Sequence, residues 1–206
     1  MVTVEMQRCR DCVQRDGCFC RIRSVVAFDD PIRSAIHALK YGNQPSVAHE
    51  LATIMVRGWS VWGEDVDLVA PVPLHAERQR VRGYNQSAEI ARHFAAALAL
   101  PINTNVIFRP IHTRPQVGLK RQARLENVQN AFKSAENEAA GQRILLIDDV
   151  CTTGATLNAA ADALYTAGAV SVMAYTLARA QTYREHWYPP LGTTKLAKKH
   201  HNKTKT

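Results

Sequence analysis

Nowhere in its 206 residues does the chain approach the about eighteen uninterrupted apolar residues of a membrane-crossing helix. Its start, "MVTVEMQRCRDC", lacks the basic opening, apolar core and small-residue cleavage site of a secretory signal. These two absences predict a cytoplasmic protein that does not enter a membrane. Internal repeats are missing as well, which excludes solenoid and propeller architectures. No helix-turn-helix segment is visible to support a transcriptional regulator. Acid is missing from one place: after Glu185 there is none, while Lys195, Lys198, Lys199, Lys203 and Lys205 supply five of the net eight positive charges. With those lysines set aside the body carries only about +3, so the basic balance does not by itself make this a nucleic-acid-binding domain. The tail "KLAKKHHNKTKT" reads as a disordered, solvating segment, with recruitment of nucleic acid or a membrane surface as the alternative.

What is present fits one substantial core or a main domain with a small appendage. Cys9, Cys12, Cys18 and Cys20 crowd the start, and only Cys151 follows them. From Asp29 onward helices and strands alternate. "DDPIRSAIHALKYG" predicts a helix with an acidic cap, Pro31 at its first position, Ile32, Ala35, Ile36 and Leu39 on one face, and Gly42 as its stop. "DLVAPV" (67–72) reads as a short buried strand, and "NQSAEIARHFAAALAL" (85–100) as a helix with Ile90, Phe94 and Leu98 inward. Then follow "TNVIF", the charged "KRQARLENVQNAF", the strand "RILLI", a helix over about 154–167 closed by Gly168, and the strand "VSVMAYTL". This alternation predicts an α/β fold, a parallel sheet flanked by helices on both faces. Function is then expected at the carboxyl ends of the strands.

The stretch "RILLIDDVCTTGATL" (143–157) carries the chemistry. Ile144–Ile147 is apolar at every position, as a central parallel strand would be, and places Asp148 and Asp149 at its carboxyl edge. Adjacent carboxylates repel, but vicinal hydroxyls donating to them, or a shared cation, would make the pair tolerable. Thr152, Thr153, Gly154, Ala155 and Thr156 then open a helix whose first amides have no intrahelical partners. Backbone NH groups and threonine hydroxyls there suit a phosphate, and the small residues let it approach. A diol reader followed by a phosphate cradle describes a ribose 5-phosphate site. A Walker loop would need a Lys before its Ser/Thr and a dinucleotide fingerprint would need G-x-G-x-x-G; the stretch has neither. An ordinary acidic N-cap would explain one Asp and one Thr, but not both acids and three threonines.

"ILLIDDVCTTGAT" resembles the signature of the type I phosphoribosyltransferases, whose shared substrate is 5-phosphoribosyl 1-pyrophosphate (PRPP) with Mg2+. By that resemblance Asp148 and Asp149 bind the ribose 2- and 3-hydroxyls and Thr152 to Thr156 bind the 5-phosphate. Cys151 stands where an aliphatic residue is usual; a small apolar thiol fills the same space, and a redox-sensitive thiol is the alternative. "LKYG" (39–42), "PVPL" (71–74), "RGYNQ" (82–86), and Thr113, Gln116, Arg124 and Asn127 ahead of "AF" narrow the resemblance to the competence protein F (ComF) family. It covers about 25–180. The implied fold is the type I phosphoribosyltransferase fold with a small hood.

That resemblance assigns further residues. Pro71 and Pro73 stiffen the end of the first parallel strand, where the family has its pyrophosphate loop, and Arg78 and Arg82 supply forked cations for a diphosphate. Arg80 has no clear family counterpart and reads as a solvated charge. Gly83 and Asn85 read as a turn and a helix cap. Thr113–Asn127 matches the loop that closes over PRPP, with Arg124 meeting the pyrophosphate or else facing solvent. Asp149 and Arg124 are the catalytic expectations.

Family members carry an N-terminal zinc ribbon with two C-x-x-C pairs. Here Cys9 and Cys12 match the second pair, only eight residues precede Cys9, and the ribbon is expected as a truncated remnant. Cys18 and Cys20 could supply two more thiolates for Zn2+, although C-x-C is a strained substitute for a knuckle; reduced thiols are the alternative. The expected division is 1–24 remnant, 25–184 phosphoribosyltransferase-like domain and 185–206 basic tail. The resemblance implies phosphoribosyl transfer to an unidentified acceptor, a part in handling internalised DNA, and oligomers as in the wider superfamily. The competing expectation is a non-catalytic PRPP sensor, or a vestigial pocket, on an adaptor for single-stranded DNA and DNA-uptake or recombination proteins.

Overall fold

The computed structural model describes residues 21–60, 65–110 and 131–180. The zinc-ribbon cysteines, the Thr113–Asn127 segment with Arg124, and the basic tail lie outside the described residues. The framework is a parallel sheet of four strands: β1 (Arg21–Ala27), β2 (Leu68–Pro71), β5 (Arg143–Cys151) and β6 (Ser171–Arg179), in the spatial order β1-β6-β5-β2. The crossovers are helical: α1 (Ile32–Tyr41), α2 (Val47–Trp59), α3 (Ala76–Arg82), α4 (Gln86–Ala97) and α5 (Ala155–Thr166). A separate antiparallel pair, β3 (Ile107–Phe108) with β4 (Lys133–Ser134), stands where the chain leaves for and returns from residues 111–130.

Alternation along the strands builds two cores. Leu145 and Ile147 of β5, with Met173, Tyr175 and Leu177 of β6, face α1, α2 and α4. Ile144 and Leu146, with Val172 and Ala174, face α5 and the β3–β4 pair. Successive strand side chains point to opposite faces, so the apolar run that looked featureless in sequence serves both layers at once. On the first face Trp59, Phe94 and Tyr175 form an aromatic cluster with ring centroids 5.2 to 5.8 Å apart. The Tyr175 hydroxyl donates to the Met55 carbonyl at 2.8 Å, which satisfies that polar atom within the apolar layer.

Several sequence expectations meet the structure with adjustments. α1 begins at Ile32 with Pro31 outside as its cap, and Asp30 accepts from the Ser34 hydroxyl at 2.6 Å and from Arg33. Ile36 and Leu39 are fully buried, as the pattern predicts. The "DLVAPV" strand is second in chain order, because Arg21–Ala27 already forms a parallel partner of β6. β1 therefore begins inside the segment expected to belong to the cysteine-rich remnant. α2 was not anticipated. β5 runs past Ile147 to Cys151, so the two aspartates sit in the strand's last pleats rather than beyond it.

Candidate functional site

The site forms where β2 ends opposite Ile147 and β5 continues past it. β5 delivers Asp148 and Asp149, bends at Thr152–Gly154, and enters α5. Gly154 has φ of +76°, and a Cβ there would sit 2.9 Å from the Ile22 Cδ1 of β1. The turn thus needs glycine for its backbone first and for space second. Thr153 Oγ1 accepts from the Ala155 amide at 3.3 Å, and Thr152, Thr153 and Thr156 are all partly exposed at the start of α5. Small residues, hydroxyls and the amino end of a twelve-residue helix therefore come together at this turn.

The acid pair is more elaborate than the sequence suggested. Asp148 Oδ1 accepts from the Ser87 hydroxyl at 2.7 Å and from the Asp149 amide at 2.9 Å, while Asp149 Oδ1 accepts from the Val150 amide at 2.9 Å. Asp149 is 3% exposed, and its Oδ2 is held in an ion pair by Lys40 from the last turn of α1. Burial and the neighbouring Asp149 charge push the Asp148 carboxyl up to about 7, against the opposing pull of Ser87 and Lys40. Burial works against the Lys40 ammonium, but the charge and hydrogen bond of Asp149 outweigh it and raise its pKa.

The loop after β2 supplies the cationic side. Its path is fixed by Asn85, whose Nδ2 donates to the Val72 carbonyl at 3.0 Å while its Oδ1 accepts from the Ser87 amide at 3.0 Å. One side chain thereby caps α4, pins the β2 loop, and sets Ser87 against Asp148. Gly83 adopts φ of +87°, as its reading as a turn requires. Arg78, Arg80 and Arg82 line a cleft of about 660 Å3 together with Lys40, Tyr41 and Tyr84. Burial and then Arg82 lower the Arg78 pKa. Arg80, expected as a solvated charge, is exposed yet belongs to this lining.

Sequence reasoning missed Lys40, Ser87 and Arg109. Arg109 follows β3, is 7% exposed, and stacks its guanidinium 5.2 Å above the Phe132 ring. Burial, then Arg78, lower its pKa to about 10, partly offset by Asp148. It thus belongs electrostatically to the same site. Lys40 lies in the quoted "LKYG", but only the fold brings it to Asp149. Cys151 is 1% exposed within the α5-side core and accepts from Arg179 Nη1 at 3.7 Å, which suits the space-filling reading. Among the described residues no cluster of three or more His, Cys, Asp or Glu could hold a metal by itself.

The phosphoribosyl transferase domain family matches residues 84–204. Competence protein F of Haemophilus influenzae is 31% identical over 84% of this chain and 79% of that protein. Competence protein ComFC of Bacillus subtilis is 32% identical over 83% of this chain and 72% of that protein. The DNA utilization protein YhgH of Salmonella typhi is 30% identical over 83% and 77% respectively.

Proposed function

From the premise that the chain belongs to the ComF family, on the type I phosphoribosyltransferase fold, we propose that it binds Mg2+–PRPP and transfers its phosphoribosyl group to an acceptor nitrogen. The observation that carries the reading is the continuous run from the buried acid pair of β5 through Gly154 into α5. In it Asp148 and Asp149 accept from the ribose hydroxyls, and Thr152 to Thr156 hold the 5-phosphate with hydroxyls and backbone amides. Arg78 and Arg82 face the diphosphate from the cationic cleft.

The bond from ribose C1 to the pyrophosphate oxygen breaks, its electron pair leaving with pyrophosphate. An acceptor amine or ring nitrogen forms the new bond to C1 and releases its proton. Mg2+ enters as part of the substrate and neutralises charge on the leaving group. A few residues of the protein suffice for the rest: Asp149 lies on the sugar side to stabilise positive charge at C1, and the arginines stabilise the departing anion. Arg124 is proposed to complete that shell from the segment between β3 and β4.

The names of the relatives support a part in DNA uptake and utilization, with single-stranded DNA and DNA-processing proteins as partners. The lysines of residues 191–206 are the proposed contact with DNA. Affinity for an unstructured oligonucleotide should fall steeply with salt and vanish when those residues are removed. Affinity indifferent to the deletion would remove the tail from the account.

The enzymatic reading is tested by calorimetric titration of Mg2+–PRPP into the wild type and an Asp148→Asn/Asp149→Asn double variant. Binding to the wild type that the folded variant loses supports the site and justifies screening acceptors for pyrophosphate release. No binding by a folded wild type would sink it, and the adaptor reading would then stand.

A further inference from the structure

Lys40 joins the acid pair to the cationic cleft: its ammonium pairs with Asp149 Oδ2 while its length lines the space shared by Arg78, Arg80 and Arg82. Its backbone is fixed. Leu39 beside it is fully buried, its carbonyl accepts from the Tyr84 hydroxyl, and the chain turns so tightly after α1 that a Cβ on Gly42 would lie 2.8 Å from the Ala38 carbonyl oxygen. Any movement of the charge is therefore a rotation of the flexible four-carbon stem.

Asp149 Oδ1 accepts from the Val150 amide, and an incoming hydroxyl that binds Oδ2 competes there with the Lys40 ammonium. A sugar diol that takes Oδ2 displaces the ammonium. An ammonium in this half-buried position cannot be left unpaired without a large cost. The cleft it faces is lined by arginines, with Glu77 as the only acid among the described lining residues, so an anionic group on the ligand is the new partner this surface favours.

Resting on the phosphoribosyl reading, we propose that Lys40 is a specificity-determining residue that exchanges Asp149 for the diphosphate of the incoming ligand. Ribose recognition and diphosphate recognition are thereby coupled through one charge. A ribose 5-phosphate without the diphosphate displaces Lys40 and gives it nothing in return, so it binds poorly; a ligand carrying both groups satisfies both ends.

The test compares wild type, Lys40→Gln and Lys40→Arg by calorimetry with Mg2+–PRPP and, separately, with ribose 5-phosphate, each protein first shown to melt cooperatively. Lys40→Gln is expected to weaken PRPP by about tenfold, the loss of one charge-assisted hydrogen bond. The same variant is expected to tighten ribose 5-phosphate by about threefold or more, because the competitor for Asp149 is gone. Lys40→Arg, which keeps the charge on Asp149, should leave ribose 5-phosphate no tighter than in the wild type. Equal weakening of both ligands by Lys40→Gln would make Lys40 a structural prop and overturn the proposal, as would no change in either. A wild type that binds PRPP with an unshifted ratio in the variant overturns this inference alone. A wild type that binds neither ligand overturns the phosphoribosyl reading and this inference with it.

Discussion

The Asp148 carboxyl answers to opposed forces: Ser87 and the Asp149 amide donate to one of its oxygens, while burial and the Asp149 charge disfavour ionisation. Its pKa rises from 3.8 in an unperturbed chain to about 7 in the fold. Between those values the folded state binds a proton that the unfolded chain has released, so stability falls as pH rises through the window and levels off above it. Asp148→Asn removes this dependence but keeps an oxygen to accept from Ser87. The variant should match the wild type near pH 4 and melt higher than it above about pH 7, a comparison that thermal scans across pH will make. A variant that melts lower throughout would show that the ionised carboxylate contributes to the fold. The two aspartates were legible in sequence because the apolar run before them announces a strand end. Lys40, Ser87 and Arg109 were not, since each is an ordinary helix or loop residue until the fold brings it within reach of the acids.

At the scale of elements, capping and turn chemistry could be read directly. Gly83, Asn85 and Gly168 occupy the turn, cap and stop positions expected of them, because such positions depend on local backbone geometry. α2 was missed although its buried Ala48, Leu51, Ala52 and Met55 repeat at helical spacing; the short polar stretch after Gly42 hid its start. β1 was missed because its polar Arg21, Arg23 and Ser24 interrupt the apolar signal, and pairing with β6 is what makes it a strand. Asn85→Ala should cost about 1 kcal/mol as a lost cap and about as much again for the Val72 carbonyl left without its donor. Asn85→Asp, which still accepts from Ser87 but cannot donate to Val72, should recover only the first part in urea denaturation. Gly154→Ala should cost about 1–2 kcal/mol from the left-handed backbone, since the Ile22 side chain can yield to the added methyl. That variant should also bind Mg2+–PRPP more weakly, because the proposed phosphate cradle turns at this residue.

Across the whole molecule, the site draws on both layers that cover the sheet. Lys40 and Ser87 come from α1 and α4 on the aromatic face, while Thr156 lies in the first turn of α5 on the other. The sheet itself contributes only the two aspartates and the turn between layers. A ligand spanning acids and cradle therefore bridges elements that otherwise meet through β5, and it binds the folded chain alone. Saturation at a hundred times Kd should stabilise the fold by about 2.7 kcal/mol. For a domain of this size that corresponds to a rise in Tm of roughly 5–10 °C, which a melting scan with Mg2+–PRPP will measure. The Asp148→Asn/Asp149→Asn protein is the informative control. Its two cores contain neither side chain, so it should keep a cooperative transition, at a Tm lowered by the Lys40 ammonium that Asp149 no longer pairs, while losing the ligand-induced rise. Loss of the transition itself would mean that the acid pair, with Lys40 and Ser87 around it, is part of what joins the two layers.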